Sequence, residues 1–273
     1  MSKNTPSYEG GYYTDKQRNF KRQVSKKATE GTDTCRGCIL RDSDQVYAPQ
    51  FGAFDTEADL MVIAETPGTN VDDTGDRGRL RVQGGDRKKD TNGLRFEDYD
   101  RKIIEEWSVG NDSSYEYINK LLRTQRVPRT PEDVYYTNAM KCPKYSDEIT
   151  WDISNAPDCL NQQGRNRCRS YLEYEIDELV DPEVIVAFGN HAKSAAISAV
   201  GGADCAEESK KLKNLLNQQA TFPTLSWGTQ RTVIPSYHWS KLHLQLQWIN
   251  WLSGGNTGDY WDELGKVITT ALS

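Results

Sequence analysis

Four short apolar runs, each closed by polar or turn-forming residues, punctuate the chain at 59–66, 134–137, 183–189 and 231–235. The first, DLMVIAET from Asp59 to Thr66, begins acidic, turns apolar and ends in a polar turn. Such unbroken apolarity, without in-out alternation, is the profile of strands covered on both faces, as in a parallel sheet. Helical spacing separates the runs. Ile103, Ile104 and Trp107 share a face, as do Tyr115, Ile118, Leu121 and Leu122. Cys168, Leu172, Ile176 and Leu179, spaced four, four and three, place one face of a helix that runs to about Val180 and stops at Pro182. Gly189 opens a turn into a helix from about Asn190 to Val200. Leu212, Leu215 and Leu216 mark another amphipathic piece, 243–252 is aromatic and aliphatic, and Tyr260 to Leu272 supplies a last helix. The alternation predicts an α/β class: a three-layer αβα architecture with a central, mostly parallel four-stranded sheet. Ligands of such sheets sit beyond the carboxyl ends of the strands. Glu65, Asn138, Gly189 and His238 fall at or near those ends, which predicts one shared cleft.

Composition changes this picture in only a few places. At 273 residues the chain can bury a core without disulfide support. It divides into an N-terminal basic extension over 1–30 and a single domain over 31–273. No apolar run approaches the roughly 18 residues of a membrane span, and the polar start has no signal-peptide core. A monomer in the cytoplasm, with no membrane partner, is the expectation. The net charge is -6, yet the charge is unevenly placed. Residues 3–27 carry seven Lys/Arg against two acids, and 77–102 carry nine against five. Local basic fields of this kind bind phosphate whatever the overall sum. The same residues also read as solvated loops. The stretch from about 75 to 98, rich in Gly, Arg, Lys and Asp, is an exposed insertion.

Six cysteines in a chain of this size and type argue for reduced thiols or metal ligation. Cys35 and Cys38 form a Cys-x2-Cys knuckle, a spacing used by redox, zinc and cluster sites alike. Zinc ligands usually come as two close pairs, and Cys142 has no near partner. A [4Fe-4S] cluster instead takes four thiolates that scattered elements can supply. Cys159 and Cys168 both compete for the fourth place; the helix register fixes the direction of Cys168 and favours it. With three histidines in the chain, a multi-histidine metal site is unattractive. The Cx3Cx2C run of iron–sulfur radical enzymes is absent.

The polar strand ends carry the remaining chemistry. Ala64-Glu65-Thr66-Pro67-Gly68 puts a carboxylate in a Pro-Gly turn whose backbone N–H groups can meet a phosphate or oxyanion. Asn138 can hydrogen-bond a base edge as both donor and acceptor. Each of these, taken alone, is as often an ordinary turn, and His238 alone is as often a core histidine. In order, however, the pieces resemble the iron–sulfur branch of the uracil-DNA glycosylase superfamily, family 4 with family 5 as its relative. A CxxC knuckle precedes a GEAPG motif there, similar to Ala64 to Gly68; a TNxxKC motif resembles Thr137 to Cys142. A cysteine leading a helix into P-x-V-I-V-x-x-G resembles Cys168 through Pro182 to Gly189, and an HPS-type motif resembles His238-Trp239-Ser240. The resemblance runs from about Thr34 to about Leu252.

The resemblance implies a monofunctional DNA glycosylase that hydrolyses the N-glycosidic bond of uracil or a modified pyrimidine and leaves an abasic site. Cys35, Cys38, Cys142 and Cys168 would hold a structural [4Fe-4S] cluster. Asn138 would read a base swung out of the stack, and His238 would donate to the base O2 or stabilise negative charge as the bond breaks. Water would be activated by Glu65, Asp72 or Asp73. Arg79, Arg81, Lys88 and Lys89, with Ser240 and Lys241, would contact DNA, and Trp239 or Leu242 would act as a wedge in the vacated stack. The chain also departs from the family pattern. Val71 stands where the family carries a Glu, Gly75 to Leu80 lacks the pocket Phe for which Phe96 or Tyr99 is a substitute, and Trp239 replaces the HPS proline. These departures keep two alternatives open: a glycosylase for a bulky hydroxymethylated or glucosylated pyrimidine, and a non-catalytic DNA-binding relative.

Overall fold

The computed structural model describes Asn19 and residues 53–54, 56–65, 121–122, 127, 129, 133–141, 168–201, 210–226, 231–239, 242–252 and 256–273. The predicted N-terminal extension and the basic insertion lie outside the described residues.

The four apolar runs form the centre of one sheet. Strands β1 (Ala53–Phe54), β2 (Leu60–Ala64), β3 (Tyr135–Asn138), β4 (Val184–Phe188) and β5 (Thr232–Ser236) assemble in the order β1-β3-β2-β4-β5. The pairs β3 with β2, β2 with β4, and β4 with β5 are all parallel. The two-residue β1 adds an antiparallel edge strand beside β3, a fifth strand beyond the four expected. Two residues carry no periodicity, so no pattern announces it.

Successive side chains of each central strand enter opposite cores, as the two-residue strand period requires. Leu60, Val62 and Ala64 of β2 face one side with Val184, Val186 and Phe188 of β4, while Met61, Ile63, Ile185 and Ala187 face the other. The second side is covered by helix α1, which spans 168–174 and widens into π-helical Glu175–Val180, and by α2 (Asn190–Gly201). The first side is covered by α3 (Leu212–Leu216), by α4 (Leu242–Gln245) with its 3-10 continuation Leu246–Trp248, and by α5 (Thr257–Ala271). Helices thus cover both faces of a parallel sheet, which is the three-layer α/β arrangement.

The helix ends follow local chemistry. At the end of α1, Asp181 takes a left-handed conformation (φ 58°) and donates its N–H to the Ile176 carbonyl at 3.0 Å, before Pro182 forbids continuation. At the start of α5, the Asn256 side chain accepts the Asp259 N–H at 2.9 Å, an N-cap of the usual kind.

Candidate active site at the strand tips

Parallel strands in register bring their carboxyl ends to one edge. Ala64 pairs with Asn138, Ile63 with Ala187, and Phe188 with Ser236, so the last rungs of β3, β2, β4 and β5 lie side by side. Asn138 ends β3, Glu65 follows β2, Gly189 follows β4, and His238 stands two residues past β5. Three strand spacings separate the Asn138 and Ser236 backbones, roughly 14 Å.

Asn138 is 6% exposed, and its Oδ1 accepts the Tyr136 hydroxyl at 3.5 Å, the long and weak end of hydrogen bonding. Its backbone is held firmly, because the Ala139 N–H donates to the Ala64 carbonyl at 2.8 Å and the Met140 N–H to the Glu65 carbonyl at 3.0 Å.

Glu65 is fixed from the other side. Its Oε1 accepts the His191 N–H at 3.1 Å in the first turn of α2, where the helix dipole and unpaired N–H groups favour an anion. Gly189 makes this approach possible. It sits at φ 96°, and a Cβ there would lie 2.3 Å from Glu65 Oε1 and 2.7 Å from its Cδ. Both the backbone angle and the space require glycine. One carboxylate oxygen is therefore committed to an anchoring bond.

His238 is half-buried, with its ring 4.4 Å from that of Trp239, the planes inclined by 36°. Trp239 in turn packs edge-on against Phe188, with centroids 5.0 Å apart. Trp239 and Leu242, the residues expected to fill a vacated stack in DNA, are 5% and 2% exposed and belong to the core beneath the sheet edge. Both are large apolar side chains beside a helix that must cover β4 and β5, and burial claims them.

A buried polar knot lies next to the Asn138 edge. The Glu175 carboxylate accepts the hydroxyls of Tyr135 (3.0 Å) and Thr137 (3.0 and 3.1 Å) and pairs with the ammonium of Lys141, which also donates to Thr137 Oγ1 at 2.8 Å. The Lys141 and Glu175 side chains are 1% and 0% exposed. The knot joins the turn after β3 to helix α1, two turns past Cys168 on the same face. The sequence offered one sign of it, a Glu set into the apolar stripe of Cys168, Leu172, Ile176 and Leu179.

The Uracil DNA glycosylase superfamily model matches residues 51–252, which is 202 of the 273 residues and takes in every strand described above. The chain belongs to this superfamily. No curated protein matches it.

For a member of the uracil DNA glycosylase superfamily, a DNA substrate and N-glycosidic chemistry are the general expectation. The fold places Glu65, Asn138 and His238 along one edge of the sheet. Asp72, Asp73, Phe96, Arg79, Arg81, Lys88, Lys89, Ser240 and Lys241 lie outside the described residues, as do Cys35, Cys38 and Cys142. Among the described residues, no three His, Cys, Asp or Glu side chains gather as metal ligands, and Cys168 on α1 is half-buried. No helix among them is long and apolar enough to cross a membrane.

Proposed function

We propose that the chain is a monofunctional DNA glycosylase that hydrolyses the N-glycosidic bond of uracil or a modified pyrimidine in DNA and leaves an abasic site. The observation that carries this reading is the common edge on which Asn138, Glu65 and His238 stand, with β2 and β4 between the asparagine and the histidine. An extruded nucleotide needs a reader at its base and a charge stabiliser near the bond that breaks, and such a span suits that division.

In this reading Asn138 gives up its weak contact with Tyr136 for the edge of the flipped base. His238 donates toward the base as negative charge develops on it. Water adds to the sugar with help from Glu65, Asp72 or Asp73; Glu65 keeps one oxygen on the His191 N–H and has the other for this work. No sequence motif marks a lysine as a Schiff-base nucleophile, so strand cleavage by the enzyme is not expected. The protein would act as a monomer, with the basic insertion contacting phosphates.

Cys35, Cys38, Cys142 and Cys168 are the residues that would hold a [4Fe-4S] cluster. Cys168 fits such a role in being half-buried, and the Lys141–Glu175 knot ties the residue before Cys142 to the helix that carries Cys168. When bound, the group would supply a structural cross-link and no step of the hydrolysis.

A larger base is the second reading, favoured by the missing aromatic in Gly75 to Leu80. The test is a panel of duplex and single-stranded oligonucleotides carrying uracil, deaminated, hydroxymethylated or glucosylated bases, treated with alkali after incubation. Cleavage at uracil supports the first reading, and cleavage only at a bulky base supports the second. Tight binding with no abasic product on any base would leave a DNA-binding relative without catalysis.

A further inference from the structure

The loop that carries His238 is held by a residue lying beyond the family-matched segment. Tyr260 in α5 is wholly buried, with its ring edge-on to Phe222 at 4.9 Å and to Trp261 at 5.6 Å. Its hydroxyl accepts the Tyr237 N–H at 2.8 Å and lies 2.7 Å from Ser236 Oγ. Ser236 Oγ in turn donates to the Tyr237 carbonyl at 3.3 Å. The three bonds run in one direction: Tyr237 N–H to the phenol, the phenol proton to the serine, the serine proton to the Tyr237 carbonyl. Each bond polarises the next in such a ring. From the β4 side, the Gly189 N–H donates to the Ser236 carbonyl at 2.8 Å.

The consequence for the backbone is specific. Past the last rung of β5, Tyr237 has no further strand to pair with, yet it is buried, and an orphan amide there is costly. The Tyr260 hydroxyl supplies the missing partner and, through Ser236, fixes the carbonyl of the same residue. Both peptide groups flanking Tyr237 are thereby set, and His238 is the next residue. We propose that Tyr260 is a positioning residue for His238, acting through the Tyr237 backbone. This deepens the proposed glycosylase function and rests on it where activity is the readout. A tyrosine that merely fills the core would stabilise α5 without governing the loop.

The test compares Tyr260→Phe, which keeps the ring packing, with Leu264→Ala, which loosens the same helix but removes no hydrogen bond to the loop. Hydrogen exchange is measured on peptides covering 237–239, and single-turnover base release is measured together with DNA affinity. For Tyr260→Phe, exchange accelerates about tenfold and the cleavage rate falls about tenfold while DNA affinity stays within about twofold, the loss expected of one buried hydrogen bond. Leu264→Ala lowers stability without either change. Unchanged exchange in Tyr260→Phe, or equal rate losses in the two variants, would overturn the proposal. If the unmodified protein releases no base at all, the glycosylase reading fails, and the exchange arm alone decides whether Tyr260 holds the loop.

Discussion

Breaking the buried Lys141–Glu175 pair is the sharpest perturbation of the scaffold behind Asn138. Both side chains are withdrawn from water, and the carboxylate takes bonds from Tyr135, Thr137 and Lys141. Lys141→Met removes the ammonium from a buried carboxylate that Tyr135 and Thr137 also bond. Removing one partner of such a pair typically costs about 3–5 kcal/mol, because the other charge is left uncompensated. Glu175→Gln removes the carboxylate from the buried ammonium while keeping an acceptor for the hydroxyls. The double variant has no charge to strand. It should therefore lose clearly less than the sum of the two single losses, with a coupling of roughly 2 kcal/mol or more. Against a total stability of about 5–15 kcal/mol, each single variant is severely weakened. Urea unfolding of the four proteins measures the cycle. Additive losses, or single losses below about 1 kcal/mol, would refute the view that this knot binds the β3 turn to α1.

The remaining predictions concern the other side of the edge. Gly189→Ala drives a Cβ into Glu65 at φ 96°, and thermal unfolding should show a loss of about 1–3 kcal/mol that Glu65→Ala partly restores; no rescue in the double variant would mean that backbone strain alone is at work. Burial raises the Tyr260 phenol well above its ordinary value, so the folded state holds its proton where the unfolded chain releases it. The contribution is complete below pH ~10 and falls as pH rises beyond it, by up to about 1.4 kcal/mol per pH unit, a slope that Tyr260→Phe should reduce in alkaline unfolding curves. Leu242→Ala should cost about 2–5 kcal/mol of stability as a core truncation and leave DNA affinity nearly unchanged; lost affinity with stability unchanged would make it a DNA contact.

Much of the fold could be read from the chain because its strands are buried on both faces. Leu60 to Ala64 and Val184 to Phe188 are unbroken apolar runs, and the residue that follows each one, Glu65 or the turn-forming Gly189, marks the carboxyl end where a cleft must lie. Helix α2 was equally legible, since Gly189 and the Pro182 stop frame β4. What escaped were partners set by tertiary packing. Glu65 was visible as a carboxylate in a turn, but its bond to the His191 N–H spans 126 positions. Tyr260 was visible as a helix residue, while its grip on Tyr237 depends on how α5 crosses the end of β5. Trp239 and Leu242 follow a polar motif, and sequence alone could not say whether the core or DNA would claim them. Glu175 was overlooked because a charge in an apolar stripe looks like noise until Lys141 is placed beside it.

The most direct measurement is the single-turnover rate of base release by Asn138→Ala and His238→Ala, on the substrate that the unmodified protein cleaves fastest and with folding verified. The common strand edge predicts that both rates fall by about a hundredfold or more, with DNA affinity nearly unchanged. Rates equal to those of the unmodified protein in either variant would contradict it.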